Sequence, residues 1–361
     1  MSIRPPNDAP PHGADPAALP AARTGPVARV LATALALMVL AVLLAWPVPI
    51  LLAGAGWPSS APGLALALWQ SIALAGGVSM IGSLLVFGLI PFGATPITAL
   101  AGLAGHVLAG TLPVGATLPG VMALCLALIL GAHLLLNLSA TFIRAERQRR
   151  RHHTLIGLLS DPLPFDSTGT RVIDHAAPVA YCLPGATRSA TVLSRGLLKL
   201  LDADQLRGVV AHERAHLRQQ HHLVLLAFKS WHSALPWFPI ANRAENAVAL
   251  LVEMLADDRA RQEVDDRTLA TAIALVGTAH LTEEPGAGFA TAGFADAGFG
   301  ADRPGAVRRP DHPVDGSAEM VGPRVHRLLG ADPVLGPVGR VAVVAATAGL
   351  LLLPTVLLVT T

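Results

Sequence analysis

A long stretch without charge is the most prominent pattern along the chain. Residues 30–143 contain no Asp, Glu, Lys or Arg. A soluble domain needs charged residues on its surface, whereas a helix in a bilayer largely excludes them, so this pattern predicts membrane-spanning helices. Breaks rich in Gly and Pro divide the stretch into three spans, near residues 30–52, 65–90 and 119–143. Each has the roughly 20 apolar residues that a helical crossing requires.

Residues 97–114 are also apolar but are interrupted by Gly. The pattern leaves three alternatives open for them: a fourth span, a re-entrant segment or an outer loop. We favour three spans in the predicted membrane domain, which covers residues 29–143. A last span is predicted at residues 341–359, where Pro354 can kink a helix without preventing its insertion.

Two other segments lack the pattern of a folded domain. Residues 1–28 are rich in Pro, Ala and Arg and predict a disordered tail. Residues 285–318 repeat Ala-Gly-Phe three times and continue into a stretch rich in Pro, Asp and Arg, which predicts a low-complexity insert. Residues 144–284 have the mixed composition of a folded domain, and residues 319–340 are predicted to complete it.

The distribution of charge predicts the orientation in the cell membrane. Residues 144–151 carry five arginines and one glutamate directly after the third span. By the positive-inside rule, the following domain is cytoplasmic. With three spans before it the N-terminus is outside; Arg4, Arg23 and Arg29 argue mildly against this, and a fourth span would put the tail inside.

The overall composition agrees with a membrane protein. Of the 361 residues, 52% are hydrophobic and only 14% are charged. The net charge of +2 gives no indication of a nucleic-acid partner. The lipid bilayer is therefore the first partner that the sequence predicts.

The domain after the arginine cluster has both strand and helix patterns. Residues 172–183 and 191–194 predict short strands around a Pro-Gly turn at positions 184 and 185. Asp202, with Gln205 three residues later, is a capping-box pattern, and the apolar positions that follow have helical spacing. A further helix is predicted at residues 244–262. We expect an α-helical integral membrane protein with a cytoplasmic α+β domain.

The clearest chemical pattern lies on the capped helix, where His212, Glu213 and His216 form the sequence H-E-x-x-H. Histidines four residues apart project from one face of a helix and can hold one zinc ion. A glutamate beside them can act as general base toward the water that zinc makes acidic. We therefore predict Zn²⁺ as the cofactor and Glu213 as the catalytic residue.

A catalytic zinc site also needs a third protein ligand and an open position. Glu253 and Asp257 lie four residues apart on the later predicted helix, so their side chains share a face. Glu253 is the predicted third ligand. Asp257 is predicted to accept a hydrogen bond from the free ring nitrogen of a ligand histidine and so to fix its tautomer.

The other histidines are expected to lie outside the metal site. His222 follows His212 at the spacing of the third metzincin ligand, but that arrangement needs a glycine at the turn, where Gln219 stands. We expect the helix to continue and carry His222 out of reach, with His221 and His222 exposed near a basic face. Surface or structural roles are expected for His232, His280 and His312.

The site motif resembles a known pattern. HERAH at residues 212–216, followed by E-x-x-x-D at residues 253–257, is similar to the gluzincin motif of zinc peptidases. More narrowly, four segments and the layout of the spans resemble membrane zinc peptidases of the BlaR/MecR type. These segments are residues 180–185 (AYCLPG), 191–194, 237–239 and 324–329 (RVHRLL).

The resemblance implies that the cytoplasmic α+β domain is gluzincin-like. It also implies that the strand containing Val179, Ala180, Tyr181 and Cys182 borders the cleft and can pair with an extended substrate. Related peptidases use an arginine after the zinc helices, which makes Arg324 and Arg327 candidates for binding the substrate or the oxyanion. The favoured alternative for both is structural pairing between helices.

Family members with this layout cleave cytoplasmic repressors. The expected function is therefore that of a membrane-bound zinc endopeptidase, a hydrolase, whose partner is a cytoplasmic protein substrate such as a transcriptional repressor. HtpX-type quality-control peptidases share much of the pattern and are one alternative. A non-proteolytic zinc-binding scaffold or sensor in the membrane is another.

The sequence departs from the BlaR/MecR pattern after its last span. Those sensors carry an extracellular penicillin-binding domain there, whereas this sequence ends. Neither Lys199 nor Lys229 has a serine three residues before it. We therefore expect no β-lactam acylation.

Overall fold

The structure is a computed structural model that describes residues 25–93, 95–159, 161–162, 170–183, 190–234, 239–282, 316–330 and 334–360. Nearly all of the predicted tail and low-complexity insert lie outside the described residues. The same is true of the Pro-Gly turn at 184 and 185, of positions 237 and 238, and of His312.

Most of the described chain is helical. In chain order the helices are α1 (Pro26–Ala45), α2 (Pro47–Ala53), α3 (Pro62–Leu89), α4 (Pro96–Ala109), α5 (Leu118–Leu159), α6 (Arg195–Leu200), α7 (Ala203–Arg218), α8 (His221–Ala234), α9 (Pro239–Ala260), α10 (Asp266–Thr282), α11 (Gly316–Leu329) and α12 (Pro337–Val359). The strands are β1 (Asp161–Pro162), β2 (Thr170–Ile173), β3 (Ala180–Leu183) and β4 (Ala190–Ser194).

Four stretches of the described chain are helical, long and apolar enough to cross a membrane. They are Val27–Ala53, Pro62–Phe92, Leu118–Arg151 and Pro337–Val359. The apolar α4 lies between the second and third of these, but its 14 residues cover only about 21 Å, short of the roughly 30 Å of a bilayer core. The protein is therefore a membrane protein with three such stretches before the mixed domain and one after it.

The centre of the membrane bundle is α3, which packs against α1, α5 and α12. Its approach to α5 depends on Gly88. A Cβ atom at this position would lie 2.5 Å from Cγ of Leu124 and 2.8 Å from the carbonyl oxygen of Gly120. Any larger residue at position 88 would therefore push α5 away from the bundle.

The mixed domain contains a four-stranded sheet in the order β1-β2-β4-β3. β2 and β4 are parallel, while β1 pairs with β2 and β3 pairs with β4 in antiparallel fashion. The strand predicted at residues 172–183 is in fact two strands, β2 and β3. In the described residues β3 lies at the edge of the sheet, and it packs against α7.

The start of α7 follows the sequence pattern. The Asp202 side chain accepts hydrogen bonds from the backbone N–H groups of Asp204 and Gln205, and the Gln205 side chain accepts one from the backbone N–H of Asp202. This capping box satisfies N–H groups that the first helical turn cannot pair internally.

The end of α7 corrects the sequence prediction. The helix was expected to continue through Gln219, but α7 ends at Arg218 and α8 begins at His221. Gln220 between them has φ of 51°, in the left-handed region that a non-glycine residue adopts at a cost of about 1–2 kcal/mol. The turn directs the apolar face of α8 onto the membrane helices, and burial of a side chain such as Phe228 offsets that cost.

The core of α8 and α9 is shared with the membrane helices. Phe228 of α8 and Val248 and Val252 of α9 lie in one buried cluster with Leu66 and Trp69 of α3. The two helices therefore form a hairpin that lies along the membrane bundle. The predicted domain boundary between residues 143 and 144 stays a prediction, but this core includes residues from both sides of it.

Candidate metal centre

The predicted ligands converge at the contact between α7 and α9. Nε2 of His212 and Nε2 of His216 are 3.1 Å apart. The Glu253 carboxylate lies 3.3 Å from the first nitrogen and 3.5 Å from the second. Among the described residues, these three form the group of His, Cys, Asp and Glu side chains that could hold a metal ion.

These separations fit a tetrahedral zinc site. Ligand atoms about 2.0–2.2 Å from one tetrahedral ion lie about 3.3–3.5 Å from one another. Two nitrogens and one carboxylate oxygen are also the donor set of many catalytic zinc sites, where the fourth position stays open. Both histidines are buried, while the Glu253 side chain is 23% exposed, so the site opens on the side of the carboxylate.

Asp257 lies behind His212. Its Oδ1 is 2.9 Å from Nδ1 of His212, and the carboxylate is fully buried. Nδ1 is the ring nitrogen that faces away from the ligand cluster. A carboxylate there favours the tautomer with a proton on Nδ1, which leaves Nε2 free to bind a metal.

Arg324 connects the two carboxylates of α9 to α11. Its guanidinium donates two hydrogen bonds to Asp257, at 2.8 and 2.7 Å, and lies 3.0 Å from Glu253. Arg327, one turn later, donates to Asp258 and to the carbonyl oxygen of Ser59. Both arginines therefore pair elements of the fold in this structure.

The two ligand histidines have opposite electrostatic surroundings. Burial disfavours the charged form of His212, but the Asp257 and Glu253 carboxylates beside its ring outweigh this and raise its pKa to about 9. Burial lowers the pKa of His216 to about 3, and the nearby charge of Glu253 does not compensate. In the metal-free protein at neutral pH, His212 therefore carries the proton and His216 is neutral.

The two carboxylates stay ionised in spite of burial. Burial opposes the charged form of each, but Arg324 holds the pKa of Glu253 well below its usual range and that of Asp257 at about 2. An ionised carboxylate is the form that binds a metal. Glu253 is therefore in the ligand state at every pH near neutrality.

The side chain of Glu213, on α7, faces β3. The backbone N–H of Cys182 donates a hydrogen bond to its carboxylate. Burial nevertheless raises the pKa of Glu213 to about 7, which is close to the value at which a carboxylate exchanges protons most effectively near neutral pH.

Some backbone groups of the edge strand β3 face away from β4, beside this glutamate. The Val179 carbonyl accepts a hydrogen bond from Ser194, so it points toward β4. Since backbone groups alternate in direction along an antiparallel strand, those of Ala180 and Cys182 point to the free edge. Tyr181 pairs with Val192 of β4, so its backbone groups point toward β4.

His221 is a residue that sequence reasoning missed. It was expected to be exposed, yet only 2% of its surface is accessible. Its Nδ1 lies 3.0 Å from Nδ1 of His216, and its Nε2 lies 2.6 Å from Oε1 of Gln219. The error follows from the missed turn at Gln220, since a continuous helix would have carried His221 away from His216.

His222 and His232 lie outside the ligand cluster. His222 is partly buried and is not in the group that could hold a metal. Nδ1 of His232 pairs with Glu245 of α9 at 2.7 Å. The position of the His280 side chain lies outside what the structure describes.

The comparison with known families decides the class of protein. The sequence profile of peptidase family M48 matches residues 145–273. The chain carries an M48 peptidase domain. No curated protein and no solved structure matches the chain. Because M48 peptidases use zinc, the protein is a zinc metalloprotease, and it is anchored in a membrane by apolar helices.

The M48 domain contains the whole candidate centre on α7 and α9, as well as β3 and His221. Arg324 lies beyond residue 273, although its guanidinium contacts two carboxylates of the domain. The sequence could have indicated this pairing only through its charge, because 67 residues separate Arg324 from Asp257.

Proposed function

We propose that the protein is a membrane-bound endopeptidase that cuts a cytoplasmic protein next to the bilayer. The observation that carries the proposal is the convergence of His212, His216 and Glu253 at the distances of a tetrahedral zinc site, with Glu213 on the same helix. Zn²⁺ is the ion proposed for these three ligands.

A zinc ion bound here would act as a Lewis acid that makes water acidic and polarises the scissile carbonyl group. Glu213 takes the proton from the attacking water and delivers it to the nitrogen of the leaving amine as the C–N bond breaks. Asp257 keeps the proton of His212 on Nδ1. Arg324 keeps both Asp257 and Glu253 ionised and in place, as a positioning residue.

The substrate is proposed to lie along β3 as an added strand. The edge of β3 offers the N–H and C=O groups of Ala180 and the C=O group of Cys182 to an extended peptide. Glu213 receives a hydrogen bond from Cys182, so a peptide on this edge passes beside the proposed general base. Val179 and Tyr181 would support this edge from within the sheet.

The peptidase domain is proposed to face the cytoplasm. The five arginines of residues 144–151 follow the third apolar stretch, which is the arrangement of a cytoplasmic flank. With three crossings before it, the N-terminus lies outside.

A transcriptional repressor is the substrate proposed from the BlaR/MecR resemblance, which rests on segments such as residues 180–185. An HtpX-like role in quality control of membrane proteins is the second candidate. The HtpX-like role is supported by the core that α9, the helix of Glu253, shares with α3, which lies in a stretch long enough to cross a membrane.

The test compares cells that express the wild-type protein with cells that express Glu213→Gln. The glutamine keeps the shape of the side chain but cannot accept the proton, so cleavage should fall about 10²–10⁴-fold while zinc binding is unchanged. Glu263→Gln is the matched control, because Glu263 is an exposed glutamate in the turn that follows α9.

Proteomic analysis should show a cleavage fragment that is present with the wild type and with Glu263→Gln and absent with Glu213→Gln. A soluble DNA-binding protein as the source would support the repressor; several misfolded membrane proteins would support quality control. The same fragments in all three strains would overturn the assignment of Glu213.

A further inference from the structure

A groove lies between α5 and α8. Its volume is about 520 Å³, and its lining is almost entirely apolar. The lining residues are Leu138, Ser139, Phe142, Ile143, Leu223, Leu226 and Ala227.

The α5 wall of the groove belongs to Leu118–Arg151, a stretch long and apolar enough to cross a membrane. Its α5 residues are within six positions of Arg144, the first charged residue of the helix, and therefore within about 9 Å of it along the axis. The α8 wall extends further into the bundle. The Ser230 carbonyl accepts a hydrogen bond from Asn137, and the Ala234 carbonyl lies 3.1 Å from Nε2 of His133.

The outer rim of the groove is basic. Arg149 and Arg150 follow Phe142 by seven and eight residues, about two helical turns, which places both arginines above the groove on the same face of α5. On the α8 side, Arg149 is close enough to His222 for its charge to act on the imidazole. Both arginines contact Glu146, but residues 144–151 contain five arginines and only this one carboxylate.

We propose that this groove binds an anionic phospholipid, whose chain packs against Leu138, Phe142 and Leu226 and whose phosphate contacts Arg149 and Arg150. An apolar groove alone would accept any lipid chain. The basic rim adds the selectivity, since a phosphate attracts each nearby arginine at the membrane surface. The site is separate from the metal centre and does not depend on the proposed peptidase function.

The test uses the purified full-length protein in micelles, titrated with phosphatidylglycerol or phosphatidylcholine and observed by native mass spectrometry. The wild type should bind phosphatidylglycerol more tightly. The double variant Arg149→Gln/Arg150→Gln should lose about fivefold in affinity for each charge, and therefore about 25-fold in total. Its affinity for phosphatidylcholine should change little.

Two controls separate the groove from general attraction. Arg147→Gln/Arg151→Gln removes the same charge from other faces of α5 and should leave the preference for phosphatidylglycerol intact. Ala227→Trp fills the groove without changing charge and should weaken both lipids. Equal binding of the two lipids by the wild type, an equal loss in the two double variants, or a second copy of the chain in place of lipid would each overturn the proposal.

A different observation concerns the hydrogen-bond chain behind the metal centre. Oε1 of Gln219 can only accept, so Nε2 of His221 carries a proton. The neutral ring then has a bare Nδ1, which accepts from Nδ1–H of His216. This leaves Nε2 of His216 without a proton and facing His212 and Glu253.

We also infer that His221 is a positioning residue that holds His216 in the metal-binding tautomer. The inference rests on the proposed role of His216 as a ligand. No carboxylate has been found behind His216 among the described residues, so His221 has the place that Asp257 has behind His212. Partners of this kind commonly change metal affinity by 10–100-fold.

Competition between the full-length protein and a zinc chelator tests this inference without measuring cleavage. His221→Phe should bind zinc about 10–100-fold more weakly, whereas His221→Asn, whose side-chain oxygen can accept the same hydrogen bond, should recover most of the affinity. His222→Phe is the control and should bind like the wild type.

The results distinguish the inference from the function on which it rests. A wild-type protein that binds no zinc would overturn the assignment of the metal centre itself. Stoichiometric zinc in the wild type with an unchanged affinity in His221→Phe would overturn only the role of His221. An equal loss in the phenylalanine and asparagine variants would show that His221 acts through packing instead.

Discussion

The two sides of the metal centre differ, although one helix supplies both histidines. On one side, His212 faces Asp257 and Glu253, and Arg324 pairs with both carboxylates. On the other side, His216 faces a second imidazole, that of His221. His212 is held by ionic contacts from α9, which Arg324 of α11 supports. His216 is held by a neutral contact with His221, across a two-residue turn. The same five-residue motif thus depends on two kinds of support.

The largest effect is expected on the ionic side. Asp257→Ala removes the partner of His212 and two hydrogen bonds from the buried guanidinium of Arg324. Breaking a buried ion pair from one end typically costs about 3–5 kcal/mol of unfolding free energy, and the remaining contact with Glu253 should keep the loss near the lower figure. Chemical unfolding of the full-length protein measures it; Asp266→Ala, on the exposed surface of α10, is the control.

If Asp257→Ala is as stable as the control, the ionic side does not support the fold. In that case Arg324 would have to be paired well enough by Glu253 alone.

The second effect concerns the proton on His212. Because its pKa in the metal-free protein is raised to about 9, this proton competes with a metal ion at every lower pH. Zinc affinity should therefore rise about tenfold for each pH unit between 7 and 9 and then level off. Calorimetry in buffers of different ionisation enthalpy should show about one proton released at pH 7, and an affinity independent of pH would contradict the protonated state of His212.

The third effect concerns Glu213, which must be ionised to accept a proton. Its pKa is raised to about 7, so kcat/KM should fall about tenfold per unit as pH decreases below this value. A bound cation favours the carboxylate, so the inflection should lie at or below pH 7. A pH profile of peptide hydrolysis measures it, and activity that increases toward acidic pH would contradict the role of general base.

The smallest effect is expected at the turn that brings His221 to His216. Gln220→Gly removes the penalty for a side chain at positive φ and should stabilise the protein by about 1 kcal/mol. Gln219→Gly, at a residue with negative φ, should instead destabilise it, because glycine adds backbone freedom there and the contact of Gln219 with His221 is lost. The midpoint of thermal unfolding with zinc bound measures the stability of both variants. The same change in stability in both would show that the turn is not strained.

Local patterns predicted the parts of the protein that depend on local spacing. The pairs His212–His216 and Glu253–Asp257 lie on helices, where four residues bring side chains to one face whatever surrounds them. The apolar stretches were equally clear, because a soluble domain rarely lacks charged residues over the length of a whole membrane span.

The parts that were missed depend on tertiary contacts. No turn-forming residue at positions 219–221 predicts the positive φ of Gln220. The turn is stabilised instead by the packing of Phe228 against α3. The contact between His216 and His221 follows from that turn. The apolar positions Val224, Leu225 and Phe228 could have indicated a separate helix after α7, because they define a new apolar face after a polar run.

The common core of α3 and α9 has a practical consequence for anyone who wishes to produce the catalytic part alone. A fragment trimmed to residues 145–273 would expose Val248, Leu251 and Val252 to water, at a loss of about 1.5–3 kcal/mol for each side chain. Glu253 follows directly on this surface. Recombinant work should therefore keep the apolar helices, and a detergent that loosens the helices around Trp69 should also disturb the ligand Glu253 on α9.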